Sequence, residues 1–126
     1  MLSNVHSDDR GNLGVFEFKD VPFNPARFFW IFGAPIGIAR AGHAHKECSQ
    51  FIFSQQGKIE ISVQDPNGAV NYSTLNPGEA YYLPPLHWLD LLNFSAGSVL
   101  GVFASHAYDR REYVDSKDEF LALTSG

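Results

Sequence analysis

The chain has 126 residues, 44% of them hydrophobic and 18% charged, which suits one domain with a real core. Its net charge of −5 argues against a nucleic-acid or membrane-surface partner, since both favour a basic face. No apolar run approaches the roughly 18 residues that span a bilayer.

The first 13 residues lack a basic start followed by an apolar segment, so no signal peptide is expected. The lone Cys48 cannot form an internal disulfide, and a reducing cytoplasm is the expected compartment. Eleven phenylalanines point to an aromatic-rich interior or interface.

In chain order, the predicted elements are short apolar segments cut by Gly, Pro, Asn and Asp. Strands are expected at 13–18 (LGVFEF), 26–33 (ARFFWIFG), 50–54 (QFIFS), 58–63 (KIEISV), 69–74 (AVNYST), 79–83 (EAYYL), 87–93 (HWLDLLN) and 98–104 (SVLGVFA). QDPNGA is a hairpin turn signal, because Asn67-Gly68 tolerates positive φ, and NPGE at 76–79 is another turn. Turns every eight to twelve residues predict an antiparallel sandwich or barrel. Only the tail, 109–123, reads as helical, with Tyr113, Phe120 and Leu121 as its apolar face.

RAGHAHKECSQ, residues 40–50, carries the chemistry. On a strand, His43 and His45 point to the same side, and Arg40 falls on the opposite parity unless the backbone bends at Gly42. Metal ligands, an acid–base pair and two surface histidines on an edge strand are all open readings of an isolated HxH.

The surrounding spacing resembles that of a cupin. Gly37, five residues, His43-Ala44-His45, four residues, Gln50, six residues and Gly57 match the first cupin signature in every interval. Gly78, five residues, Pro84, then Leu86, Leu89 and Asn93 match the intervals of the second. There Leu86 stands in a glycine place and Leu89 in a histidine place, while Gln50 replaces the glutamate of the metal-binding members. Only two good ligands remain, fewer than the three or more protein ligands of a usual zinc or iron site. A metal site rescued by His87 beside His43 and His45 is the minority reading. A metal-free pair of imidazoles, titrating near neutral pH, suits proton transfer between adjacent carbons.

Within the cupins, residues 8 to 120 resemble the nucleotide-sugar 3,4-ketoisomerases, also called WxcM-like sugar isomerases. DDRGNL (8–13), RFFWIF (27–32), RAGHAHK (40–46) with Gln50, PPLHWLDLLNFS (84–95) and ASHAYDRREYV (104–114) resemble that family's elements in order. The resemblance implies an all-β fold, one cupin domain over 1–126 forming an antiparallel jelly-roll barrel, with a short C-terminal helix. It implies a dTDP-sugar substrate, thymidine diphosphate-4-keto-6-deoxyglucose, whose ketone moves from C4 to C3 through an enediol, with no cofactor and no metal. It implies His43 and His45 as catalytic residues, and Arg40, Arg27, Arg10, Gln50 and Trp88 as substrate contacts. It implies a homodimer with exchanged N-terminal strands.

Each assignment has a plainer alternative. Gln50 could orient His45 or satisfy buried backbone, Trp88 could be core rather than a thymine platform, and Arg40 could pair with a surface carboxylate. Three departures from the family pattern bear on activity: Phe29 and Trp30 stand in tyrosine places, Leu89 stands in a histidine place, and Ala41 follows Arg40 where the family has glycine. A silent nucleotide-sugar-binding cupin is the alternative these departures raise.

Overall fold

The computed structural model describes residues 4–125. Its strands are β1 (Val5–Asp8), β2 (Gly11–Gly14), β3 (Arg27–Phe32), β4 (Arg40–His45), β5 (Gln50–Gln56), β6 (Ile59–Gln64), β7 (Val70–Leu75), β8 (Ala80–Leu83), β9 (Trp88–Phe94), β10 (Val99–Ala104) and β11 (Tyr113–Val114), followed by helix α1 (Lys117–Thr124). Two antiparallel sheets, β3-β10-β5-β8 and β11-β4-β9-β6-β7, face each other as a jelly roll, and β1-β2 forms a separate hairpin. The predicted all-β, antiparallel architecture with a short C-terminal helix is the observed one.

The core between the sheets follows from strand alternation. Ile52, Leu83, Leu100 and Val102 from one sheet meet Ile61, Val63, Leu89 and Leu91 from the other, all almost fully buried. On β3 the pattern alternates strictly: Arg27, Phe29 and Ile31 turn inward, while Phe28, Trp30 and Phe32 are exposed.

The outer face of the four-stranded sheet holds much of the phenylalanine. Phe51, Phe53 and Phe103 lie there under Phe16 and Phe23, with Phe16 edge-on to Phe51 at 5.5 Å. Helix α1 covers one patch of the five-stranded sheet's outer face, where Phe120 packs on Trp88, Ala44 and Val114.

The turns form where Asn, Asp and Gly were read. Asp65 Oδ1 accepts the Asn67 and Ala69 amides at 2.8 and 3.0 Å, and Gly68 takes φ +92°. Two boundaries depart from the expected ones. The strand predicted at 13–18 instead ends at Gly14, because Asp8 Oδ1 accepts the Arg10 amide at 2.8 Å and closes a hairpin that pairs Val5–Asp8 with Gly11–Gly14. Phe16 is then free to cover the aromatic face.

The helix predicted over 109–123 begins only at Lys117. Ser116 caps it by accepting the Glu119 amide at 3.3 Å, the Ser-x-x-Glu pattern of a helix start. Upstream, Tyr113 and Val114 pair with His45 and Ala44 as a strand. Of the expected apolar face, Phe120 is buried, Leu121 is exposed and Tyr113 belongs to the sheet.

Candidate active site

A cavity of about 510 Å³ opens between the two sheets. It is lined by Phe29, Ile31, Arg40, His43, Gln50 and Tyr113 among others, and floored by Ile52, Leu89, Leu91, Leu100 and Val102. An apolar floor with a few convergent polar groups is the usual form of a small-molecule site.

The placement of Arg40 depends on a β-bulge. Arg40 pairs with Leu91 and Ala41 with Asp90, but the next pair is His43 with Leu89, so Gly42 is the extra residue. Gly42 has φ +79°, the left-handed conformation that glycine adopts without a Cβ penalty. Leu89 and Leu91 both point into the core, so their partners His43 and Arg40 share the inward face. The parity conflict in the sequence is resolved by the bend at Gly42.

His45 lies deeper, only 3% exposed. Its ring sits edge-on to His43, centroids 5.1 Å apart and planes at 89°. The Gln50 side-chain amide reaches across from the facing sheet and donates to His45 Nε2 at 3.2 Å. That bond leaves the imidazole proton on Nδ1, which is buried without a partner among the described residues. Burial, then the neighbouring His43, hold the His45 imidazolium down to a pKa of about 4. Burial also lowers His43, against the pull of Asp115 and Asp90. Both rings are therefore neutral near pH 7, the state in which a histidine accepts a proton.

Tyr113, expected only on the apolar face of a helix, is set by the structure against both histidines, its ring 5.1 Å from His43 and 4.5 Å from His45. The expected helix concealed it. The Ser116 cap signature, read as the helix start, would have left Tyr113 in extended chain. Arg110 lies over its ring at 5.4 Å and forms an ion pair with Asp115.

The remaining sequence-predicted residues divide. Arg27 faces inward beside the cavity rather than lining it; its guanidinium lies 5.1 Å from the Phe29 ring and 5.6 Å from Tyr108, and its buried Nε has no partner among the described residues. Trp88 is not in the cavity. It points to the other side of β9, where it packs on Phe120 at 5.6 Å and donates Nε1–H to Asp90 at 3.1 Å, because its parity is opposite to that of Leu89. Arg10 is not there either: it sits 90% exposed on the β1–β2 turn, paired with Asp8 at 2.7 Å.

His87 sets its Nδ1 against the Pro85 carbonyl at 3.0 Å. Among the described residues no group of three or more His, Cys, Asp or Glu is placed to hold a metal. Leu89, in the place of a fourth cupin ligand, pairs directly across from His43 and offers only an isobutyl group.

Over residues 1–125 the sequence matches the family described as FdtA: WxcM-like, C-terminal. It is 31% identical over 114 residues to the TDP-4-oxo-6-deoxy-alpha-D-glucose-3,4-oxoisomerase of Aneurinibacillus thermoaerophilus, spanning 90% of this chain and 82% of that one. The fold superposes on the sugar 3,4-ketoisomerase QdtA of Thermoanaerobacterium thermosaccharolyticum in complex with TDP, with a TM-score of 0.85 and 29% identity over 99% of this chain and 97% of that one. It superposes on the TDP-quinovose 3,4-ketoisomerase WlaRB of Campylobacter jejuni with a TM-score of 0.82 and 32% identity over 94% and 92% of the two chains.

Proposed function

Because the chain belongs to the WxcM-like family of FdtA, we propose that it is a nucleotide-sugar 3,4-ketoisomerase acting on TDP-4-keto-6-deoxyglucose. The observation that carries this reading is the Gly42 bulge, which brings Arg40 and His43 to one cavity wall with His45 behind them.

The C3 proton of such a sugar is acidified by the neighbouring C4 carbonyl. His43, neutral and facing the cavity, removes it, and an enediol forms. A proton returned to C4 completes the isomerisation. His45, held neutral by its burial and oriented by Gln50, is the partner ring of His43. Arg40 on the cavity wall binds the diphosphate, and Arg27, facing inward beside the cavity, serves a sugar or phosphate oxygen, each through charge-assisted hydrogen bonds. With the Gln50 amide and Leu89 in two ligand places, the donor set suits acid–base chemistry and not a tight metal site.

We further propose a homodimer with exchanged N-terminal strands. Leu13 on the hairpin and Phe28, Trp30 and Phe32 on the outer sheet face are exposed apolar residues that such an exchange would cover. Arg10 would then contact the partner subunit. Light scattering after gel filtration separates dimer from monomer. No described helix is long and apolar enough to cross a membrane, and the cytoplasm is the compartment we propose.

Proton NMR of TDP-4-keto-6-deoxyglucose with the protein in D₂O tests the reaction. Loss of the C3 proton signal with growth of 3-keto sugar signals is the expected result. Binding of the nucleotide with no C3 exchange would overturn it in favour of a silent binder.

A further inference from the structure

Moving a ketone between adjacent carbons requires two proton transfers. One proton goes from C3 to C4, and another from the C3 hydroxyl oxygen to the C4 oxygen. A single imidazole that holds the carbon-derived proton cannot also carry the oxygen-bound one, so a second group must reach O3 and O4.

The cavity wall restricts the choice. Of its lining residues, Arg40, His43, Gln50 and Tyr113 carry N–H or O–H groups on inward-facing side chains, while Trp30 turns its indole to the outer face. The guanidinium and carboxamide are not proton shuttles near neutral pH, and the Gln50 amide is engaged by His45. Tyr113 carries the one hydroxyl among the described lining residues. Phe29, on the opposite sheet, presents an aromatic ring to the same space without one. Tyr113 also pairs with His45 across β11 and β4, so the sheet fixes its ring beside both histidines.

We infer that the Tyr113 hydroxyl is a catalytic group that carries the oxygen-bound proton of the proposed isomerisation. As His43 takes the C3 proton, the C3–H electron pair forms the C3=C4 double bond and the C4=O π pair moves to O4. Tyr113 donates its proton to O4 and recovers one from the O3 hydroxyl. The C3=O bond then forms, and the C3=C4 pair takes the proton from the His43 imidazolium at C4. Atoms and charge balance, and Tyr113 ends as it began.

The inference rests on the ketoisomerase reading, and the test separates the two. In D₂O, wild type must exchange C3 and form product; a wild type that does neither sinks the function itself. Given an active wild type, Tyr113→Phe keeps the ring and its packing and removes only the hydroxyl. Product formation is expected to fall by about 10²–10⁴, the usual contribution of a positioned acid–base group. KM is expected to stay unchanged, and C3 deuterium exchange, which His43 still performs, to exceed product formation. Phe29→Tyr in the Tyr113→Phe background returns a hydroxyl from the facing sheet and is expected to restore part of the turnover. Wild-type turnover in Tyr113→Phe, or exchange and product falling in parallel, would overturn the assignment.

Discussion

Lowering the pH is a direct probe of the buried His45. Its folded pKa of about 4 lies below the ordinary 6.5, so at neutral pH the ring is uncharged in both states and its burial carries no protonation penalty. Below 6.5 the unfolded chain takes up a proton that the folded protein refuses. The stability this histidine supports is therefore complete above pH 6.5 and is lost as pH falls from 6.5 toward 4. With 1.36 kcal/mol per unit, the loss is about 2 kcal/mol at pH 5 and about 3 kcal/mol at pH 4. Against a total stability of about 5–15 kcal/mol, that is enough to shift a urea midpoint clearly.

The carboxylates Asp8, Glu79 and Asp109, which their hydrogen bonds hold low, lose stability in the same direction, so the measurement is a difference. Urea unfolding of wild type and His45→Asn across pH 4 to 8 isolates the ring. His45→Asn is expected to be less stable at pH 7 and to lose less on acidification, so the two curves converge toward pH 4. Parallel curves would refute the reasoning, because they would mean that His45 is protonated in the fold as easily as in the open chain.

Three further outcomes follow from geometry. Gly57→Ala should cost about 1–2 kcal/mol for the left-handed backbone and about 1–3 kcal/mol for overpacking, since at φ +77° its Cβ would fall 2.6 Å from Ser98 Cβ; chemical denaturation reads it, and a loss under 1 kcal/mol would count against it. Gly42→Ala has room, with Asp90 Oδ1 at 3.4 Å, so only the backbone cost of about 1–2 kcal/mol is expected. That variant should still lose turnover as Arg40 and His43 move apart, and full activity would separate the bulge from catalysis. Arg40→Ala should weaken TDP binding by about 1.5–3 kcal/mol in calorimetry, the value of a hydrogen bond to a charged group; unchanged affinity would move the anion site elsewhere.

The strands and turns were legible in the sequence because their causes are local. KIEISV alternates because one side of β6 is core, and Asp65-Pro66-Asn67-Gly68 turns because its own side chain and glycine satisfy the bend. The HxH pair could be read for the same reason: two residues apart on a strand is one side, whatever the strand packs against, whereas Gln50 meets His45 from the facing sheet.

Other features depended on partners distant in the chain. Whether Arg40 joins His43 was undecidable from parity alone, and it was settled by the register of β4 against β9, where Gly42 drops out of the pairing. Trp88 and Leu89 are adjacent, and only the packing of α1 on one side of β9 decides that the indole is covered by Phe120 while the leucine faces the cavity. Tyr113 sits in a charged tail whose composition suggests a helix, and it reaches the histidines because β4 has a free edge for Tyr113 and Val114 to pair with. Local propensity and periodicity determined which segments are strands. Strand pairing, which brings together residues as distant in the chain as Ala104 and Arg27, or Tyr113 and His45, decided which side chains meet.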